Sequence, residues 1–132
     1  MIIEEFLPLE EHAALMPLVL DQQDEFDTSL VGENEYRPEQ RESLTLPGPR
    51  PEKRQFRQRI NEVLPNVIQR LGHPSFEVEF VEVKIRAYRD GDFFEVHQDT
   101  SPRNGREISY VYFFHREPRP YTGGDLLLLD TH

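Results

Sequence analysis

Ile85-Arg86-Ala87-Tyr88-Arg89-Asp90-Gly91-Asp92-Phe93-Phe94-Glu95-Val96-His97-Gln98-Asp99 is the stretch on which the reading of this chain turns. Asp90-Gly91-Asp92 reads as a turn, and Phe93 to Asp99 as the strand that follows it. His97 and Asp99 stand at i and i+2, and strand residues of equal parity point to the same face. The spacing therefore aims one imidazole and one carboxylate at a common point. Such a pair supplies two members of the 2-His-1-carboxylate facial triad, which holds non-haem Fe(II) by one face and leaves its other positions open. H-x-D is a short pattern, so its meaning depends on its surroundings.

Outward from that stretch, composition sets bounds. A chain of 132 residues is one domain at most, with room for a single core. The formal net charge of -10 argues against binding nucleic acid through phosphate contacts, which need clustered Lys and Arg. No cysteine is present, which excludes disulfides and thiolate metal sites and fits a reducing cytoplasm. The start, Met1-Ile2-Ile3-Glu4-Glu5-Phe6, lacks a basic region followed by an apolar run, and no stretch reaches the length of a membrane span. These features predict a cytoplasmic protein with no membrane partner.

Upstream, Ile2 to Phe6 is a short strand candidate. Leu7-Pro8-Leu9-Glu10-Glu11 opens a helix with proline and acids in its first turn, which Pro17 should bend or shorten. Residues 21–51 are polar and rich in Pro, Glu and Gln, with short strands expected at Thr28–Val31 and Ser43–Leu46. A segment of this kind reads as a flexible loop or a lid. The clearest helix is Glu52 to Leu71, where Phe56, Ile60, Val63, Leu64, Val67, Ile68 and Leu71 mark one buried face. Gly72 should stop it and Pro65 should kink it.

After Gly72 the period changes to two. Phe76, Val78 and Phe80 alternate with acids, then Val81, Val83, Ile85 and Ala87 take over the apolar phase, which predicts a bulge near Phe80–Val81. Glu107 to His115 reads as a central strand, and Asp125 to Asp130 as an apolar strand covered on both faces. Helices precede strands, so the pattern predicts an α+β fold with a mostly antiparallel sheet.

Taken in order, Tyr88, Gly91, Phe94, His97-x-Asp99, Arg106, Tyr110-Val111-Tyr112-Phe113-Phe114 and Gly123-Gly124-Asp125-Leu126 resemble the prolyl-4-hydroxylase-like 2-oxoglutarate/Fe(II) dioxygenases. Phe6-Leu7-Pro8 and Arg41-x-Ser43 also look like that family's entry segment. The resemblance covers nearly the whole chain. It implies a double-stranded β-helix, a cupin-like jelly-roll barrel flanked by N-terminal helices. In that picture residues 1–132 form a single dioxygenase domain, with 1–75 as helical and loop support and 76–132 as the first part of the barrel.

The resemblance further implies Fe(II) held by His97 and Asp99, 2-oxoglutarate as co-substrate and ascorbate as an additional cofactor. The reaction would hydroxylate a C–H bond in a small molecule or peptide, prolyl residues among them, releasing CO2 and succinate. Tyr88 matches a tyrosine lining the 2-oxoglutarate pocket. Phe113 falls where relatives often carry a second tyrosine, so its contact with the co-substrate would lack a hydroxyl. Arg106 and Gly123-Gly124 read as structural. The family's distal histidine and its carboxylate-binding cation come well after the Gly-Gly turn, and His132 comes too early to match. His115 closes a strand beside a charged loop, where solvent is its default setting. The expectation is a C-terminally truncated dioxygenase whose third ligand is absent from the chain, inactive by itself. Two rivals stand beside it: a non-catalytic jelly-roll binding module with a degenerate metal site, and a cupin-like protein using Zn(II) or Mn(II).

Overall fold

The computed structural model describes residues 1–32, 34–100 and 105–129. In order, the elements are α1 (Leu9–Asp21), a 3-10 turn (Gln23–Glu25), β1 (Asp27–Thr28), β2 (Arg41–Glu42), β3 (Leu44–Leu46), α2 (Pro51–Arg70), β4 (Ile85–Ala87) and β5 (Phe93–Phe94). The fold is mixed α/β with small antiparallel sheets, as helices and alternating segments in one chain predict. The chain divides into two compact units: Met1–Phe6 with Asp24–Phe94, and Leu7–Gln23 with the residues from Glu95 onward.

In the first unit β3 is the middle strand of an antiparallel sheet ordered β1-β3-β4. Thr28 faces Leu44 across one ladder, and Leu44 and Leu46 face Ala87 and Ile85 across the other. The Ser29 amide adds a further rung by donating to Ser43 O at 2.9 Å. β2 pairs with β5 in a second sheet, Arg41 opposite Phe94 and Glu42 opposite Phe93. Leu46 is completely buried and Ile60 nearly so. The Lys53 ammonium crosses from α2 to donate to Leu46 O at 2.6 Å and Gly48 O at 2.9 Å.

α2 forms where the apolar stripe predicts it, within one residue at each end. Pro51 sits in the first turn, where a missing N–H costs nothing. At the other end Gly72 takes a φ of 64°, Gly72 N donates to Gln69 O at 3.1 Å and His73 N to Ile68 O at 3.2 Å. That is a Schellman closure, and it uses the left-handed backbone that glycine adopts without strain. Neither Pro65 in α2 nor Pro17 in α1 ends its helix. Each removes one backbone hydrogen bond while the surrounding turns keep theirs.

Several expected strands are not formed among the described residues. Ile2 to Phe6 is not a strand, of 76–87 only Ile85–Ala87 pairs, and of 93–99 only Phe93–Phe94 does. Residues 107–115 and 125–129 carry no ladder; Asp130 lies outside the described residues. Alternation marks the face a strand would bury, but a strand also needs a neighbouring strand, and among the described residues no ladder pairs these segments. Residues 21–51, read as a flexible loop or lid with short strands at Thr28–Val31 and Ser43–Leu46, do form strands at both places and add one more at Arg41–Glu42. They supply β1, β2 and β3, with Ser29, Arg41, Ser43 and Leu46 all buried.

The second unit holds α1, a buried Leu7 and the segment after Glu95. His12 on α1 meets the Tyr112 hydroxyl through Nδ1 at 2.7 Å, the rings edge to face at 5.9 Å. Burial pushes the Tyr112 phenol up from its ordinary pKa. No helix among the described residues is long and apolar enough to cross a membrane.

Candidate metal centre

The approach to the H-x-D pair is set by the turn before it. Asp92 N donates to Arg89 O at 3.1 Å, the Asp92 carboxylate accepts the Arg89 amide at 2.8 Å, and Gly91 adopts a φ of 83°. β5 then ends at Phe94, so His97 and Asp99 lie beyond the ladder rather than within it. They converge even so, with His97 Nε2 3.2 Å from Asp99 Oδ1.

The other ring nitrogen explains what faces what. His97 Nδ1 lies 2.7 Å from Glu95 O, and a carbonyl can only accept, so Nδ1 carries the proton. Nε2 then faces the Asp99 carboxylate oxygen, as an N–H donor when the ring is protonated and as a lone pair when it is neutral. Two acceptors so placed are reconciled by a proton or a cation between them. Nitrogen and oxygen donors bind a first-row divalent ion at about 2.0–2.2 Å, so neighbouring donors set at right angles lie about 3 Å apart. The pair therefore fits one edge of such an ion's coordination shell, and the Glu95 carbonyl acts as the outer partner that fixes the imidazole.

Asp99 is held below its ordinary carboxylate pKa, chiefly by a side-chain hydrogen bond from Ser109, with the charges of His97 and Arg106 adding to it against the opposing effect of burial. An ionised carboxylate is the form that ligates a metal. Ser109 was not singled out by sequence reasoning, since a serine ten residues downstream carries no pattern. Arg106, read there as structural, exerts its charge on Asp99.

The remaining expected residues are placed as follows. Tyr88 belongs to the first unit, just past β4, and is half exposed. Phe113 belongs to the second and is also more than half exposed. His115 engages its own neighbourhood, Nδ1 3.0 Å from Arg116 O and 3.4 Å from Glu117 Oε1, with its ring edge-on to Tyr121. His73 likewise meets Pro74 O and the Phe76 ring. Among the described residues no group of three His, Cys, Asp or Glu is placed to hold a metal ion; His132 lies outside them.

No protein-family model matches the chain, and no solved structure does. An uncharacterized PKHD-type hydroxylase of Synechocystis sp. is 31% identical over 135 aligned positions, which take in 98% of this chain. The chain spans 43% of that relative's length. Along nearly all of its length the chain is thus similar to a protein named a PKHD-type hydroxylase, in keeping with the prolyl-4-hydroxylase-like family that its H-x-D region resembles.

Proposed function

We propose that the chain carries the iron-binding part of a 2-oxoglutarate- and Fe(II)-dependent dioxygenase that hydroxylates a C–H bond, releasing CO2 and succinate. The observation that carries this reading is the His97–Asp99 pair, one nitrogen and one carboxylate oxygen 3.2 Å apart with the imidazole pinned from behind by Glu95 O. Kinship with a protein named a hydroxylase supports it. Bound Fe(II) and 2-oxoglutarate would supply the oxygen chemistry. The chain's own residues hold and orient: His97 through Nε2, Asp99 through a carboxylate that Ser109 and Arg106 keep ionised. Tyr88 is assigned to the co-substrate pocket and Phe113 to an apolar contact there, with ascorbate as a further cofactor. The finer architecture proposed is a jelly-roll barrel within a single domain, residues 76–132 forming its first part. The substrate is a small molecule or a peptide in the cytoplasm, prolyl residues being one class.

Anaerobic Fe(II) titration followed by calorimetry tests the ligand assignment. With two converging ligands the chain binds iron weakly and turns over little 2-oxoglutarate. His97→Ala and Asp99→Ala should each weaken iron binding by about tenfold or more. Affinity indifferent to both substitutions overturns the assignment. One observation favours the second reading, a non-catalytic binding module: no third ligand joins the pair among the described residues. That module would bind 2-oxoglutarate equally well with iron and with a chelator present, whereas the dioxygenase requires the metal for it.

A further inference from the structure

The chain is strongly acidic, yet one recess of the first unit is lined by Arg50, Lys53, Arg54, Arg57 and Lys84 against the single carboxylate of Glu82. Its volume is about 410 Å³, within the range of small-molecule pockets. We propose that this recess of the first unit is a binding site for a small phosphate-bearing molecule.

The cations are not equivalent, and their partners say which would meet a ligand. Lys53 is buried and spends its donors on Leu46 O and Gly48 O. Arg50 reaches the Glu25 carboxylate at 2.6 Å, and Lys84 reaches Glu82 at 2.9 Å. Arg57 donates through Nε to Val81 O at 2.8 Å, which fixes the plane of its guanidinium beside the Phe80 ring, 5.3 Å from its centroid. Arg54 is exposed and its guanidinium has no partner among the described residues. Arg54 and Arg57 are three apart on α2 and so share a face.

The charge of this wall selects the ligand class. A carboxylate carries one charge and is satisfied by one guanidinium fork. A phosphate monoester carries nearly two charges and three terminal oxygens, which suits two guanidiniums and an ammonium approaching together. The first turn of α2 adds to the field, since Arg50 at its N-cap makes no side-chain cap and helix N-termini favour anions. Phe80, exposed beside Arg57, offers an apolar surface to the organic part of the ligand.

Calorimetric titration of the chain with inorganic phosphate and, separately, with acetate tests the proposal. Arg54→Gln removes an exposed side chain without partners and Lys84→Gln removes one exposed ion pair, so both variants keep the fold. Arg70→Gln lies on the last turn of α2, about 24 Å along the helix from Arg54, and makes the same change in net charge. Saturable phosphate binding, weakened about tenfold by Arg54→Gln and by Lys84→Gln but unchanged by Arg70→Gln, supports the site. Absence of saturable binding overturns it. So does an equal loss in Arg70→Gln, which would reveal a general charge effect, or acetate held as tightly as phosphate.

Discussion

His97 and Asp99 were picked out by side-chain type and spacing, and their convergence survives the loss of the strand that was expected to align them. Ser109 was not legible, since its hydrogen bond to Asp99 depends on how the chain returns after residue 105. Lys53 lies between these cases. It stands seven positions before Ile60, on the apolar stripe of α2, so its burial follows from the periodicity, while its carbonyl partners on Leu46 and Gly48 do not. Burial, and then the neighbouring Arg50 charge, hold the Lys53 ammonium below its ordinary pKa. Between the native value and the unfolded one, the unfolded chain binds more protons at this site, so stability rises with pH across that window. A neutral amine still has two N–H groups for its two carbonyls, which keeps the contact as the charge leaves. Denaturation midpoints of the chain and of Lys53→Met, compared as pH climbs toward 10.5, should show a gain in the former that the variant lacks. Parallel profiles would mean that Lys53 keeps an ordinary pKa.

Elements were read with uneven success, for a reason tied to length. α2 repeats its apolar rhythm across 20 residues and satisfies its own backbone, so a local pattern suffices. The strands are two or three residues long, and although β1, β3, β4 and β5 each overlap a segment read as a strand, their extents are set by partners far away in sequence. β3 is the case that matters most, because it pairs on both sides and carries the completely buried Leu46. Its place was legible, a strand being expected at Ser43–Leu46, but its partners were not: Ser29, whose hydroxyl meets Thr45 at 2.6 Å, and the buried Ser43 look like surface residues in the sequence. Leu46→Ala should therefore cost about 2–5 kcal/mol, the range for emptying a buried leucine site. Leu9→Ala, on the exposed side of α1, should change stability by no more than about 0.5 kcal/mol. Urea unfolding at constant m value separates the two. Similar midpoints for both variants would show that β3 is not the centre of the first unit.

At the scale of the whole molecule, the acidic composition and the apolar strand-like segments pull in opposite directions. The segment read as a doubly covered strand instead shows Leu126 to Leu129 between 53% and 85% exposed, with Val111 and Phe113 also open to solvent. Sequence correctly marked these residues as apolar, and could not show what covers them, since burial is a property of neighbours rather than of a segment. Contiguous exposed leucines favour association, while a net charge of -10 opposes it through mutual repulsion. Salt screens the repulsion over about 8–10 Å and leaves the apolar term in place. Sedimentation should accordingly show concentration-dependent association of the chain that strengthens as salt is raised from low to physiological levels. Leu128→Glu places a charge within the leucine run and should suppress that association, whereas Leu9→Glu, an equally exposed apolar position on α1, should leave it intact. Association that weakens with salt would instead identify ion pairing between the acidic surface and the basic recess as its cause, and Arg54→Gln would then be the substitution that abolishes it.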